Sequence, residues 1–164
     1  MKIFIANIDS ISKHSDIYSA LLLPVHRARL SEFKNEKRKL QFILGHLMAD
    51  KRDEKYTSIA HKDNFVVIAT DSKQPVGIDI ENTDIKRDFS GLAETLKMRQ
   101  PKSLDDFYRM FTEFEAAYKM GSKPICTKFI KHNDYLICIT STTNFKTPKL
   151  NLFDINSLLS AEQE

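Results

Sequence analysis

Asp79 and Glu81 stand two apart in Gly77-Ile78-Asp79-Ile80-Glu81. On a β-strand, residues two apart share a face. The pattern therefore turns Ile78 and Ile80 toward a core and both carboxylates to the opposite, outward face. Like charges side by side on a strand repel. Lysine neighbours relieve that cost, and so does a hard cation such as Mg²⁺, which takes carboxylate and phosphate oxygens. The plainer alternative is an amphipathic edge strand with its acids in water. Glu115 and Lys119 lie four apart in a helical pattern and share one helix face. They form either a surface ion pair worth about 0.3–0.5 kcal/mol, or a carboxylate that binds metal or takes a proton beside a lysine that meets phosphate. His61, in Ser58-Ile59-Ala60-His61-Lys62, is the third candidate. A lone histidine is commonly structural, but this one comes just ahead of an expected hairpin that ends in Asp-x-Glu.

The elements that must position these groups follow from hydrophobic period and punctuation. Lys2 to Ile8 alternates like a strand, and Ser15 to Leu23 reads as a short helix stopped by Pro24. Ser31 to Met48 reads as a helix capped by Ser31. Its apolar stripe is Phe33, Leu40, Ile43, Leu44 and Leu47, with Lys34, Lys37, Arg38 and Gln41 opposite. Asp50 to Lys55 is a charged connection. Phe65 to Thr70 and Val76 to Glu81, joined by Asp71-Ser72-Lys73-Gln74-Pro75, predict a hairpin. Asp84 to Lys97 is mixed and partly helical, interrupted by Gly91. Ser103 to Met120 predicts a second helix, capped by Ser103 and stopped by Gly121, with Phe107, Phe111, Phe114 and Tyr118 in the core. Ile125 to Ile130 and Tyr135 to Thr140 predict another hairpin about His132-Asn133-Asp134. Lys149 to Ile155 closes as a strand, and a short helical end or tail follows from Ser157. The class is α+β with antiparallel sheet.

Composition removes several kinds of chemistry. With 164 residues the chain suits one domain, and 41% hydrophobic with 29% charged residues is enough to build a core. Four glycines, Gly45, Gly77, Gly91 and Gly121, cannot build a GxxxxGK or GxGxxG phosphate loop. Any phosphate chemistry must rely on side chains and a metal. No apolar run approaches the roughly 20 residues of a membrane span, and Asp9 comes too early for a signal peptide. Cys126 and Cys138 lack metal or redox spacing, which implies reduced thiols and a cytoplasmic protein. The net charge of +3 is too small to argue for nucleic acid by itself. The first third is nevertheless crowded with Arg27, Arg29, Lys34, Lys37, Arg38, Lys39, Lys51, Arg52, Lys55 and Lys62. It would draw an acidic or phosphorylated partner, or it is simply a solvated face.

Taken together, Ser58-Ile59-Ala60-His61, Gly77-Ile78-Asp79-Ile80-Glu81 and Phe111-Thr112-Glu113-Phe114-Glu115-Ala116-Ala117-Tyr118-Lys119 resemble the 4'-phosphopantetheinyl transferases of the Sfp type. That family reads Ser-x-Ser-His, then Gly-Ile/Val-Asp-x-Glu, then Trp-x-x-Lys-Glu-Ala-x-x-Lys. Leu23-Pro24-Val25-His26-Arg27-Ala28-Arg29, Phe33 and Phe42-Ile43-Leu44-Gly45 look like its basic N-terminal region. The resemblance implies one domain over residues 1–164, built of two small α/β halves, about 1–82 and 83–164. Their antiparallel hairpins would be related by a pseudo-twofold axis, with the site in the cleft between them. It implies a monomer that moves phosphopantetheine from coenzyme A to a serine of an acyl or peptidyl carrier protein, releasing 3',5'-ADP. Asp79, Glu81 and Glu115 would hold Mg²⁺, and Mn²⁺ takes the same ligands. Glu115 would also be the general base, and Lys119 would meet the phosphates. His61, Arg29 and His26 would contact coenzyme A. The acidic helices of a carrier suit the basic first third.

The departures from the pattern are Phe111 for the tryptophan, Phe114 for the lysine before the glutamate, Ala60 and Lys62 for the serines about the histidine, and His46 for an arginine. A Gly-Lys-Pro element is also absent. These changes thin the nucleotide site more than the metal site, and they support an alternative: a non-catalytic module that binds a carrier. A nucleic-acid surface on Arg27 to Lys39 is the third alternative, but Phe33 and Phe42 there are better explained as core.

Overall fold

The computed structural model describes residues 1–155 and Leu158. The expected helical end from Ser157 lies outside the described residues, Leu158 excepted. The chain runs β1 (Lys2–Asn7), α1 (Ser15–Ala20), α2 (Pro24–Arg27), α3 (Glu36–Asp50), β2 (Tyr56–Lys62), β3 (Phe65–Asp71), β4 (Val76–Asn82), α4 (Phe89–Thr95), α5 (Leu104–Met120), β5 (Cys126–His132), β6 (Tyr135–Ser141) and β7 (Leu150–Leu152). Short 3₁₀ turns link the early helices. The protein is α+β, and its strand pairs are antiparallel except for the parallel pair of β1 and β7.

The strands make two sheets, ordered β2-β3-β1-β7 and β4-β6-β5. Alternation along each strand builds three apolar layers. On one face of the first sheet, Ala6, Val66 and Ile68 pack against Ile43, Leu44, Leu47 and Met48 of α3. On its other face, Ile3, Ile5, Ala60, Val67 and Ala69 meet Ile78, Ile80, Ile137 and Ile139 of the second sheet. Beyond the second sheet, Leu136 packs under Phe107 and Tyr108 of α5. The order of layers is thus α3, sheet, sheet, α5. Among the described residues no helix is long and apolar enough to cross a membrane.

Residues 65–70 and 76–81 do not form the expected hairpin. Phe65–Asp71 is a central strand between β1 and β2, while Val76–Asn82 joins β6 in the other sheet. Strand β3 is buried on both faces, so it needs partners on both edges. The turn at Asp71 is real, since its Oδ1 accepts from the N–H groups of Lys73 and Gln74 at 2.8 and 3.2 Å. It carries the chain round a corner from one sheet to the next. The hairpin partner of β3 is β2, turning at Asp63-Asn64, with Asp63 at φ 50°, a left-handed value that Asp and Asn tolerate. His61 therefore lies on a strand rather than ahead of one. The second expected hairpin is present as β5–β6, turning at Asn133 with φ 52°.

Helix α3 begins at Glu36, capped by the Asn35 side chain on Arg38 N–H rather than by Ser31, whose segment is 3₁₀. Ser103 caps α5 by accepting from Asp106 N–H at 3.1 Å, and Gly121 ends it at φ 72°. Ser103→Ala should cost about 1 kcal/mol in urea unfolding. No measurable change would mean the cap is replaced locally. Tyr118 and Phe114 are not core, being 79% and 42% exposed, whereas Phe107 is fully buried. Neither sits on the stripe of α5 that meets the sheet, which is carried by Phe107, Tyr108, Thr112 and Ala116.

Candidate functional site

The two sheets abut along β2 and β4, where Ile78 N–H donates to Ser58 Oγ at 3.1 Å. This juncture brings His61 beside the Asp-x-Glu strand. From above, α5 presses onto β4 at Gly77, close enough that a Cβ there would lie 1.9 Å from the Ala116 carbonyl oxygen. Glu115 and Lys119 descend from that helix toward Asp79.

Asp79 and Glu81 do share a face, but it is not in water. They are 7% and 8% exposed, because that side of β4 lies under α5. A buried charge requires a partner. Lys119 Nζ donates to Asp79 Oδ1 at 2.7 Å, so the lysine does not make the local helical pair with Glu115. Glu81 Oε2 is held by Lys62 at 2.6 Å and Arg87 at 3.0 Å. Gln41, expected on a solvated face, is buried and donates to the Asp63 carbonyl at 2.8 Å.

These groups surround a cavity of about 480 Å³. His61, Asp79, Glu81 and Glu115 line it together with Lys62, Arg38 and Lys37. Lys119 reaches it through Asp79. A second, more apolar cavity of about 400 Å³ adjoins it, walled by Phe33, Phe42, His46 and Ile59 and sharing Arg38, Gln41 and His61. His26 and Arg29 line neither cavity. The Arg29 guanidinium lies 5.2 Å over the Phe42 ring, and His26 binds Asp50 at 3.0 Å. The sequence reading placed Arg38 only on a basic face. In the fold its Nη1 sits 2.8 and 3.0 Å from the two ring nitrogens of His61, a contact that spacing along the helix does not signal.

Desolvation, then the Arg38 charge, holds the His61 imidazole below its usual range. The ring is thus neutral near pH 7 until an anion offsets the surrounding cations. Burial pushes the Asp79 carboxyl up to about 6, against the pull of Lys119. Unfolded, it titrates near 3.8. A folded value above the unfolded one gives a contribution that is complete below the unfolded pKa and is lost as pH rises through the folded pKa. His46 and His61, both lowered, act in the opposite sense. Comparison with Asp79→Asn isolates the carboxyl. In chelator, wild type should lose thermal stability relative to that variant between about pH 4 and about pH 7. Parallel curves would show that Asp79 is not so shifted.

The donor chemistry fits a hard divalent cation. Asp79 Oδ2 is buried without a hydrogen-bond partner, and three carboxylates line one cavity. The present spacing is that of a site held by ammonium and guanidinium groups. Among the described residues, the set whose ligand atoms all lie within 4.8 Å of one another is His26, His46 and Asp50, not the three carboxylates. A cation at Asp79, Glu81 and Glu115 would take over the neutralising role of Lys119, Lys62 and Arg87.

Neither a scan against protein-family models nor a search of curated proteins finds a match to this chain.

Proposed function

We propose that the chain transfers 4'-phosphopantetheine from coenzyme A to a serine of an acyl or peptidyl carrier protein. The observation that carries this reading is the convergence of His61, Asp79, Glu81 and Glu115, from two strands and a helix, on one cation-rimmed cavity. In sequence Asp79 and Glu81 share one strand face, while His61 and Glu115 lie far from them and are linked to them only by resemblance. The same resemblance implies a pseudo-twofold relation between the halves. The two hairpins β2–β3 and β5–β6, one in each sheet, are compatible with it.

The reaction forms a bond from the serine oxygen to the β-phosphorus of coenzyme A and breaks that phosphorus's bond to the bridging oxygen, which leaves with 3',5'-ADP. The serine proton goes to the Glu115 carboxylate, directly or through a water. A divalent cation, Mg²⁺ or Mn²⁺, held by Asp79, Glu81 and Glu115 would neutralise charge on the pyrophosphate. Were a cation to take over Asp79 and Glu81, Lys119 and Lys62 would be free to meet phosphate oxygens, and Arg38 with His61 would form a further anion-binding pair. Exposed Lys37 on the cavity rim suits the acidic helices of a carrier. Two free cysteines are consistent with a cytoplasmic enzyme. A monomer suffices, since one chain supplies the whole set of groups.

Calorimetry separates this from a carrier-binding module without catalysis, a reading favoured by Ala60 and Phe114. The enzyme should bind coenzyme A with an affinity that rises on adding Mg²⁺, and Asp79→Asn should remove that rise. Carrier binding with Mg²⁺-independent or absent coenzyme A binding would favour the module.

A further inference from the structure

We propose that His26, His46 and Asp50 form a second metal site, separate from the carboxylate cavity and selective for a borderline transition-metal dication such as Zn²⁺. His46 and Asp50 lie four apart on α3 and share one face. His26 comes from α2, whose first residue is Pro24. The α1–α2 connection is pinned by Arg27, which donates through Nη2 to the carbonyls of Ala20 and Leu22. One ligand atom from each of the three residues lies within 4.8 Å of the other two. His26 Nδ1 is 3.0 Å from Asp50 Oδ2, and the two imidazole rings stack with centroids 3.8 Å apart and a 35° tilt.

The donor set decides the metal class. Two imidazole nitrogens and one carboxylate favour Zn²⁺, Co²⁺, Ni²⁺ or Cu²⁺ over Mg²⁺ or Ca²⁺. The His26 and Asp50 side chains are 20% and 15% exposed, so the cluster is sheltered yet reachable. Three protein ligands leave at least one coordination position for water or a small anion, and His46 opens on the apolar second cavity. Arg29, whose charge acts on His46, opposes a bound dication and sets the affinity lower than three ligands alone would give. The inference does not depend on the transferase reading. If it holds, His26 is committed to metal and is not a phosphate contact.

Co²⁺ is the probe, added to chelator-stripped full-length protein and followed by visible absorption and by stoichiometry. The expected result is one equivalent bound, displaced by Zn²⁺, indifferent to excess Mg²⁺ and retained in Asp79→Asn and His61→Gln. His26→Gln and His46→Gln should each weaken it by roughly tenfold or more. No Co²⁺ bound to the wild type, binding that survives both histidine variants, or binding lost in Asp79→Asn would overturn the site. Imidazole NMR of the unaltered chain keeps the test independent of variant folding. Zn²⁺ should shift His26 and His46 together and leave His14 and His132 in place. First shifts at any other histidine would count against the proposal.

Discussion

Glu115→Gln is expected to lower the rate of carrier modification by roughly 10²–10⁴-fold while leaving the fold intact. Glu115 is half-buried on α5 and lines the cavity. Among the described residues no hydrogen bond or ion pair ties it down. Glutamine keeps its shape and packing but cannot take a proton and is a poorer ligand for a hard cation. The loss should therefore appear in the rate and not in the unfolding curve. Asp79→Asn should inactivate for a different reason, because its neutral amide is a poor ligand for the hard cation that Asp79 would hold with Glu81 and Glu115. Full activity of Glu115→Gln with saturating Mg²⁺ would remove the carboxylate from the mechanism.

Gly77→Ala is expected to be the most damaging small substitution for stability, costing about 3 kcal/mol or more, at or beyond the usual range for overpacking. The added Cβ would stand 1.9 Å from the Ala116 carbonyl oxygen and 2.8 Å from Thr140 Oγ1. A helix carbonyl cannot rotate aside as a flexible side chain can, so α5 would have to lift from β4. Lifting α5 would also withdraw Glu115 and Lys119 from Asp79. Gly121→Ala is the control. It meets nothing within 4 Å and is strained only by φ of 72°, worth about 1 kcal/mol. Urea unfolding should rank the two clearly, and equal midpoints would contradict the close helix–strand approach.

Helix α5 and the β5–β6 hairpin were legible because period, caps and turn residues agreed, and the body of α3 was legible from its period, although its cap is Asn35 and not Ser31. Strand β2 was not, since Thr57, Ser58, His61 and Lys62 break its apolar alternation. It is nevertheless held as a strand by seven paired positions along β3. Without it, the turn at Asp71 reads as a hairpin instead of a corner between sheets. The exposure of Tyr118 was missed for a related reason: helical spacing shows that residues share a stripe, but not where the stripe leaves the sheet. At the site, type and spacing pointed to the carboxylates, Lys119 and His61. The ion-pair partners did not follow from spacing. Lys62, Arg87 and Arg38 meet Glu81 and His61 only because two sheets and a helix converge there. His26 and Arg29, assigned to coenzyme A by resemblance, fall outside the cavity that holds the other groups.

The most direct test is intact-mass spectrometry of a panel of apo carrier proteins incubated with this protein, coenzyme A and Mg²⁺, beside a chelator control. A mass gain of one phosphopantetheine arm, abolished by the chelator and by Glu115→Gln, is the predicted result, and it would name the preferred carrier. No gain on any carrier, with coenzyme A intact and the protein folded, would contradict the transferase and leave a carrier-binding module in its place.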